Sequence, residues 1–316
     1  MELSLDRVLV TGGAGFIGSH TVDALLERGT EVWVLDNLTS GFLNNLRRWK
    51  GFPKLHFIRG DIRQQGLLNG LARKVDGIVH LAALVSIDVS IRRPDLTNQV
   101  NVVGTLNVLR SAVRHKVMKV VVASSSSVYG DVGRKGLSEA MPLNPINPYG
   151  VSKLAAEKYS QVFHTTYGLR TVSLRYLNVY GERQSSNPYS GVIAIFANRL
   201  MGGERPVIYG DGFQTRDFIH VSDVVKANML ALKTEKGIGE SFNIGTGHAT
   251  SILHLYRTLA RLSGKGRLAP VFRPSRTGDI RHSYARTSKA RSSLGFKAKV
   301  TLEEGLASLV TQMRMR

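Results

Sequence analysis

The sequence predicts an α/β protein: a doubly wound parallel sheet of the Rossmann type, followed by a smaller α/β lobe. Three observations predict this fold. Buried strand patterns alternate with helical patterns through the first half of the chain. A glycine-rich turn joins the first strand to the first helix, and Gly, Pro, Asn and Arg become frequent after about residue 180. We therefore expect a first domain over residues 1–180 and a second lobe over residues 181–316.

The composition is that of a globular chain. Apolar residues make up 42% of the 316 residues, which is enough for a packed core. No apolar run approaches the roughly 18 residues of a membrane span, and the sequence predicts no signal peptide. There is no cysteine, so disulfides, cysteine-based metal sites and thiol catalysis are excluded. We expect a cytoplasmic protein without a bound metal.

The charge is high and positive. Lys and Arg number 43 against 23 Asp and Glu, for a formal net charge of +20. Such a charge favours polyanionic partners such as nucleic acid or phosphorylated small molecules. The basic residues are spread along the chain, however, without a basic zipper or zinc-finger spacing. We therefore expect a generally basic surface, not a nucleic-acid-binding protein.

Periodicity assigns the elements in order. Six strands are predicted in the first domain: Arg7–Val10, Glu31–Leu35, Leu55–Ile58, Gly77–Leu81, Lys119–Ala123 and Thr171–Leu174. Helices are predicted over Gly15–Arg28, Pro94–His115 and Tyr149–Tyr167. In the second lobe, helices are predicted over Val192–Met201, Val221–Lys233, Ser251–Ser263 and Leu302–Met313. Ser241–Ile244 is a strand that could return to the main sheet.

The glycine turn predicts a dinucleotide site. In the segment Thr11–Gly18, Gly12 permits a tight turn, Gly15 lets the backbone approach a pyrophosphate, and Gly18 lets the helix pack against the strand. The helix that begins here, with Phe16 and Ile17 in its first turn, would offer free N–H groups to the anion.

Two acidic residues follow later strands. Asp36 ends the second strand, where a carboxylate binds the adenine ribose diol and repels a 2′-phosphate. This position favours NAD over NADP, although Asp36 could instead be a surface turn residue. Asp61 follows the third strand and could contact adenine or cap the next helix.

Serines, a tyrosine and a lysine form the candidate catalytic set. The fifth strand ends in the serine run 124–127, and Tyr149 and Lys153 lie four residues apart on one helical face. A free phenol has a pKa near 10 and is a poor base at neutral pH. A neighbouring ammonium and a nicotinamide cation would lower that pKa. A serine hydroxyl at the strand end could hold an alcohol that is being oxidised.

With these motifs the sequence resembles the extended short-chain dehydrogenase/reductases, and more narrowly the NAD-dependent nucleotide-sugar 4-epimerases. The resemblance runs from Val8 to about Leu294. It is carried by Thr11–Gly18, Asp36–Asn37, Gly60–Ile62, His80–Ala83, Asn101–Thr105, the serine run with Tyr129, Tyr149 and Lys153, Arg175–Asn178, Gly210–Gly212, Thr215–Phe218 and Arg276–Asp279.

The resemblance implies roles for individual residues. Ser125, four residues before Tyr129, would be catalytic together with Tyr149 and Lys153, with Ser124 and Ser126 as possible helpers. Further NAD contacts would come from Asn37, Ile62, Leu81, Ala82, Ala83, Asn101 and Tyr176. The nucleotide sugar would be bound by Ser86, Asn178, Val192, Arg216, Arg276, Asp279 and Ser283, besides Ser125, Ser126 and Tyr149.

The implied reaction is reversible C4 epimerisation of UDP-hexoses by transient hydride transfer to tightly bound NAD. Related dehydratases carry Asp-Glu after the catalytic hydroxyl, where this chain has Ser126 and Ser127, so dehydration is disfavoured. The alternatives are another enzyme of this scaffold acting on a nucleotide sugar, such as a decarboxylase, a reductase or a different epimerase, or a non-catalytic basic protein that binds NAD or nucleic acid.

Two finer expectations also come from the resemblance. Ser283 would face the C2 substituent of the sugar, and a small residue there leaves room for an acetamido group. We thus expect use of both UDP-glucose/galactose and the N-acetylated pair, unless Ser283 lies in a loop remote from the substrate. Family members commonly pair through two helices per subunit, so Pro94–His115 and Tyr149–Tyr167 would form a homodimer.

Overall fold

A single seven-stranded parallel sheet organises the protein. The structure is a computed structural model that describes residues 5–184, 191–275 and 280–315. The strand order is β3-β2-β1-β4-β5-β6-β11. The strands are β1 (Arg7–Thr11), β2 (Glu31–Asp36), β3 (Leu55–Arg59), β4 (Gly77–His80), β5 (Lys119–Ser125), β6 (Thr171–Tyr176) and β11 (Glu240–Ile244). β2 and β3 lie on one side of β1, and β4 and the later strands lie on the other side. This switch in strand order opens a crevice at the carboxyl ends of β1 and β4. The predicted Rossmann-type fold is confirmed.

Helices cover both faces of this sheet. Val8 and Val10 of β1 point into a core shared with α1 (Phe16–Leu26) and α8 (Val221–Lys233). Leu9, between them, points into a core shared with α2 (Gln65–Ala72), α5 (Gly104–Arg114) and α6 (Pro148–Tyr167). Because both faces are covered, the central strands are buried along nearly their whole length, as expected for a parallel sheet.

The predicted helix Pro94–His115 is divided into three parts. It consists of α4 (Pro94–Asn98), a π-helical segment Gln99–Val103, and α5, and the short helix α3 (Ile87–Arg92) precedes it. A π segment changes the direction of side chains within a helix and often lies at a functional site. Here it contains the buried Asn101, whose side chain contacts the Leu84 backbone after β4 and the Ser152 hydroxyl on α6. Two 3₁₀ segments, Leu43–Trp49 and Ser126–Val128, complete this half.

The smaller lobe has its own core of buried side chains between α7, α9 and α11. Its helices are α7 (Val192–Met201), α9 (Ile252–Leu262) and α11 (Leu302–Arg314), whereas α10 (Ser288–Leu294) packs Ala290 and Leu294 into the core of the main sheet. Its short strands are β7 (Asn178–Tyr180), β8 (Val207–Tyr209), β9 (Thr215–Arg216), β10 (Phe218–His220), β12 (Thr250–Ser251), β13 (Val271–Arg273) and β14 (His282–Ser283). They pair as β10-β7, β13-β8 and β12-β9-β14.

The chain crosses between the two parts more than once. β11 pairs in parallel with β6, with Ser241 opposite Ser173, and α8 packs on the same face as α1. The predicted return of Ser241–Ile244 to the main sheet is therefore observed. A domain boundary at residue 180 stays our proposal, with β7 at the boundary, paired with β10, and with α8 and β11 packed on the first domain. None of the helices that the structure describes is long and apolar enough to cross a membrane.

Candidate active site

The glycine turn leaves an open cradle in front of α1. Gly12 has φ 70°, and a Cβ there would lie 2.8 Å from the backbone nitrogen of Ala82. A Cβ on Gly18 would collide with the carbonyl of Gly12. A Cβ on Gly15, in contrast, would meet only the Gly12 carbonyl oxygen. α1 has no side-chain cap, so the first-turn N–H groups of Phe16 and Ile17 face this opening. The cradle fits a pyrophosphate.

Asp36 lies at the end of β2 beside this cradle. Its Oδ2 accepts the Ala14 N–H at 3.0 Å and its Oδ1 accepts the Leu38 N–H at 2.8 Å. A Cβ on Gly41 would lie 2.9 Å from Oδ2, so the glycine keeps this side of the carboxylate clear. Asp36 is only 8% exposed, which rules out the alternative of a surface turn residue. Each oxygen retains acceptor capacity for a ribose hydroxyl.

Asp61 is held in place by Arg63 and Asn37. The Arg63 guanidinium donates to both carboxylate oxygens at 2.9 Å, and Asn37 Nδ2 donates to Oδ2 at 3.0 Å. These hydrogen bonds, that of Arg63 first, lower the pKa of Asp61 to about 2. The helix-cap alternative for Asp61 is wrong, because Gln64 is the N-cap residue of α2. Ile62 is buried against Gly104 at the start of α5.

A buried histidine lies beneath the turn that follows β4. Thr105 gives its hydroxyl proton to the Asn101 carbonyl at 2.6 Å, so it accepts from His80 Nε2 at 3.0 Å. His80 Nδ1 is then the acceptor for the Thr11 hydroxyl at 2.7 Å. Burial, followed by the charge of Lys153, lowers the pKa of His80 to about 3, which keeps the ring neutral. Sequence reasoning missed this role of His80, whose one signal is its place in the motif His80–Ala83.

The same turn carries the predicted NAD contacts Leu81, Ala82 and Ala83. The Leu81 N–H donates to the Thr11 carbonyl at 3.1 Å, and the Ala82 N–H donates to Thr11 Oγ1 at 3.3 Å. Asn101 clamps the far end of the turn: Oδ1 accepts the Leu84 N–H at 2.7 Å and Nδ2 donates to the Leu84 carbonyl at 2.9 Å. Asn101 therefore fixes the turn that lines the crevice by binding the backbone of Leu84.

Ser125 and Tyr149 meet at the carboxyl end of β5. Ser125, of the four serines, is the one whose hydroxyl lies near enough to the Tyr149 phenol to favour a lower pKa of that phenol. The Ser127 N–H donates to Ser125 Oγ at 3.2 Å and fixes the strand end. Asn147 caps α6 by accepting the Gly150 N–H at 2.8 Å, and this places Tyr149 in the first turn.

Lys153 follows Tyr149 by one turn and is buried. Its Nζ donates to the Ala123 carbonyl at 2.9 Å, and burial lowers its pKa to about 8. The pKa of the Tyr149 phenol is raised, because burial outweighs the opposing hydrogen bond from Ser125. The charge of Lys153 one turn away does not offset this effect of burial. Activation of the phenol thus requires a further positive charge at the site, which a bound nicotinamide cation would supply.

The remaining serines have other partners. Ser124 Oγ donates to Glu157 Oε2 at 2.7 Å and points away from the crevice. Ser126 begins the 3₁₀ segment after β5, and its carbonyl accepts the Tyr129 N–H at 3.1 Å. Ser86 caps α3 by accepting the Val89 N–H at 3.2 Å. A role for Ser124 as a helper in contact with substrate is thus wrong, while Ser86 and Ser126 stay predictions.

Tyr176 also differs from the expectation. Its hydroxyl donates to Asn228 Oδ1 on α8 at 2.6 Å, inside the core, and burial raises its pKa. This hydroxyl cannot reach a cofactor in the crevice, so only the ring or the backbone of Tyr176 remains for such a contact. The side chain serves to join β6 to α8.

The predicted substrate residues lie on short strands of the smaller lobe and at its boundary. Asn178 begins β7, and its N–H donates to the Asp217 carbonyl at 3.0 Å. Arg216 on β9 lies opposite Ser283 on β14 in a parallel pairing. Val192 begins α7. Arg276 and Asp279 lie outside the described residues.

Asp217 is a further residue that the sequence reasoning missed. It is fully buried, and its carboxylate accepts the N–H groups of Thr246, Gly247 and Ala285 at 2.8–3.1 Å. It thereby joins β9 to the segment after β11 and to the segment after β14. The available signal was its position directly after Arg216 in the motif Thr215–Phe218.

The fold and the Ser125, Tyr149 and Lys153 site define a short-chain dehydrogenase/reductase of the extended type. Residues 9–309 match a family model, and the chain belongs to that family, which is described as GDP-mannose 4,6 dehydratase.

Individual relatives are similar over nearly the whole chain. The UDP-glucose 4-epimerase of Mycolicibacterium smegmatis is 41% identical over 98% of both chains. A structure of the UDP-N-acetylglucosamine 4-epimerase from Methanobrevibacter ruminantium in complex with UDP-N-acetylmuramic acid has a TM-score of 0.94 at 36% identity, covering 99% of each chain. The UDP-glucose 4-epimerase of Thermus thermophilus in complex with NAD has a TM-score of 0.88 at 38% identity, covering 98% of this chain and 99% of that chain.

Proposed function

We propose that this chain is an NAD-dependent UDP-hexose 4-epimerase, which interconverts UDP-glucose and UDP-galactose and also the N-acetylated pair. The observation that carries the proposal is the joining of β5, which ends at Ser125, to α6, which bears Tyr149 and Lys153: the buried Lys153 Nζ donates to the Ala123 carbonyl of that strand at 2.9 Å. The similarity to 4-epimerases over nearly the full length supports it.

The residues that would hold NAD fit that molecule. The cradle before α1 would bind the pyrophosphate through the Phe16 and Ile17 N–H groups, and Asp36 would bind the adenine ribose. The chemistry that NAD supplies when bound is reversible acceptance of a hydride. A carboxylate at residue 36 disfavours the 2′-phosphate of NADP through charge repulsion. The NAD complex of the Thermus thermophilus relative supports this cofactor.

Side chains of the protein would bind and transfer the proton of the C4 hydroxyl. Tyr149 would take the proton of the C4 hydroxyl while the C4 hydrogen leaves as hydride, which gives a 4-keto sugar. Ser125 would hydrogen-bond the C4 oxygen through both states. Return of the hydride to the opposite face of C4, and of the proton from Tyr149 to the oxygen, completes the inversion with no net redox change. Lys153 would bind the nicotinamide ribose.

The residues after Ser125 favour epimerisation over dehydration. Dehydration needs an acid and a base at C5 and C6 of the sugar. In the described structure the positions directly after Ser125 are hydroxyls, and Ser127 Oγ accepts a hydrogen bond from Ser125 Oγ at 3.2 Å. These hydroxyls are poor acids and bases at neutral pH, so the dehydratase description of the family is not our proposal for this chain.

We also propose a homodimer through the helical stretch Pro94–His115 and α6. Exposed apolar side chains lie on the π segment before α5 and on α6: Val103 is 42%, Val151 53%, Tyr159 39% and Val162 50% exposed. A solvent-exposed apolar patch of this kind is typical of an interface.

A cytoplasmic location is likewise a proposal, supported by the absence of cysteine.

The test is a direct assay. The purified protein is incubated with UDP-galactose and, separately, with UDP-N-acetylgalactosamine, without added cofactor, and the products are resolved by chromatography. We expect both gluco epimers, and a loss of about a thousandfold in Tyr149→Phe, since general acid–base catalysis is worth about 10²–10⁴. Tyr256→Phe, which removes a phenol that donates to Leu268 in the smaller lobe, is the matched control. No conversion even with added NAD would refute the proposal.

A further inference from the structure

A buried ion pair lies behind the candidate catalytic residues. Arg175 Nη2 and Glu157 Oε1 are 2.5 Å apart, and Arg175 Nε donates to Glu157 Oε2 at 3.0 Å. The two side chains are 4% and 0% exposed. A buried ion pair is often no more stabilising than apolar side chains of the same volume. Its two-point geometry does, however, fix the orientation of both partners.

One branch from this pair joins the two catalytic elements. Ser124 Oγ donates to Glu157 Oε2 at 2.7 Å, and Ser124 directly precedes Ser125 at the end of β5. Glu157 lies one helical turn after Lys153 on α6. The carboxylate therefore ties the strand that carries Ser125 to the helix that carries Tyr149 and Lys153.

A second branch reaches the segment that follows Ser125. Arg175 Nη1 donates to the Tyr129 hydroxyl at 2.7 Å, and that hydroxyl donates to Asn243 Oδ1 at 2.7 Å. The Tyr129 ring also lies under the guanidinium, 4.9 Å from its carbon. Tyr129 thus anchors the far end of the 3₁₀ turn that begins at Ser125.

This branch continues to the predicted substrate strand. Asn243 Nδ2 donates to the Leu137 carbonyl at 2.9 Å. Leu137 forms a parallel bridge with Ala285, and its N–H donates to the Tyr284 carbonyl at 2.8 Å. Ala285 follows Ser283 by two residues. Buried side-chain and backbone hydrogen bonds therefore link the Ser125 strand to β14.

We propose that Ser124, Tyr129, Glu157 and Arg175 are positioning residues for the epimerase reaction, which hold the Ser125 hydroxyl where it and the Tyr149 phenol can both reach the C4 oxygen of the sugar. None of the four touches the crevice in a catalytic role. They act through Ser125: the fork of Arg175 orients Glu157, Glu157 orients Ser124, and Tyr129 fixes the turn beyond. An error of about 1 Å in such a geometry can reduce a rate by about a hundredfold.

The inference rests on the proposed function, but its test does not depend on turnover alone. The variants are Ser124→Ala and Tyr129→Phe, each of which removes one hydroxyl and leaves the ion pair in place. The matched controls are Ser263→Ala and Tyr256→Phe, whose hydroxyls donate to the backbone of the smaller lobe. With UDP-galactose we expect kcat to fall about tenfold in both variants, with KM nearly unchanged, and neither parameter to change in the controls.

The second measurement needs no sugar. The phenol of Tyr149 is titrated by ultraviolet difference absorbance in the NAD-loaded protein, with the same variant carrying Tyr149→Phe as the reference. A Ser125 hydroxyl that turns from Ser127 to donate to the phenolate favours that charged form, so displacing Ser125 raises the apparent pKa of Tyr149. We expect a rise in Ser124→Ala and Tyr129→Phe, and none in the controls.

Unchanged kcat and an unchanged Tyr149 titration in both variants, even with a lower melting temperature, would overturn the inference and leave the network a purely structural one. If the parent chain converts no UDP-hexose, the proposed function has failed, and the Tyr149 titration still decides the positioning role. Should Ser124→Ala not fold, Tyr129→Phe decides alone, because it keeps the ring over Arg175.

Discussion

Ser283 and Arg216 lie directly opposite each other in the parallel pairing of β14 with β9. Ser283 is 8% exposed, so it is part of a packed wall and not of a free loop. Neighbouring Asp217 fixes both strands by accepting backbone N–H groups from Thr246, Gly247 and Ala285. Arg216, predicted to bind the nucleotide sugar, is thus rigidly joined to Ser283, predicted to face the C2 substituent of that sugar.

Enlarging Ser283 should change which sugar is used. In Ser283→Tyr we expect the rate with UDP-N-acetylgalactosamine to fall at least tenfold relative to that with UDP-galactose, because an aromatic ring would fill the space of the acetamido group. The ratio of the two kcat/KM values is the measurement. Ser283→Ala is the control and should keep the parental ratio. An unchanged ratio in Ser283→Tyr would mean that residue 283 does not face the C2 substituent.

Removing the charge of Asp36 should weaken cofactor binding. Hydrogen bonds to a charged group contribute about 1.5–3 kcal/mol, so we expect Asp36→Asn to bind NAD about tenfold to a hundredfold more weakly and to discriminate less against NADP. Fluorescence titration of the cofactor-free protein measures both affinities. Asp131→Asn, in an exposed loop, is the control. Parental discrimination in Asp36→Asn would place the ribose elsewhere.

The protein should lose stability in mild acid through His80. The pKa of His80 falls from 6.5 to about 3 in the folded state, so only the unfolded chain takes up this proton as the pH falls below 6.5. The loss begins near pH 6.5 and amounts to about 2 kcal/mol at roughly pH 5. Urea denaturation at several pH values measures it. His80→Gln should be less stable at neutral pH but have a shallower dependence, whereas exposed His254→Gln should keep the parental slope.

A charge introduced on the exposed apolar face of α6 should disrupt the proposed dimer. Val162→Arg places a charge on the exposed apolar face of α6, and we expect it to yield a monomer in sedimentation velocity. Phe272→Arg, at a side chain 52% exposed on β13 in the smaller lobe, is the control and should remain dimeric. A parent chain that is already monomeric at assay concentration would contradict the proposal.

The sequence predicts those elements that carry their own periodic signal. The helices Val192–Met201 and Val221–Lys233 are observed with the predicted bounds, because an apolar face repeats along each. The strands of two or three residues, such as β9 and β14, have no such signal. They exist because Asp217 and its backbone partners hold them together, and those partners lie far apart in the chain.

The site residues also fall into those that the sequence predicts and those that depend on the folded structure. Local spacing was sufficient to bring Tyr149 and Lys153 to one helical face, and strand-end position brought Ser125 to them. Spacing could not tell that the Tyr176 hydroxyl points to Asn228, or that Ser124 belongs to Glu157. Each depends on which helix covers which strand, a property of the folded chain.

The return of the chain to the main sheet has a consequence for biosynthesis. β11 supplies the edge next to β6, and Asn228 of α8 donates to Thr21 of α1 at 3.1 Å, across 207 residues of sequence. A nascent chain that has emerged only to residue 180 has β6 as a bare edge strand and α1 without its neighbour. Such edges pair readily with other chains. The β6 edge is therefore covered only once the chain has been synthesised through Ile244 of β11, and until then it is exposed to pairing with other chains.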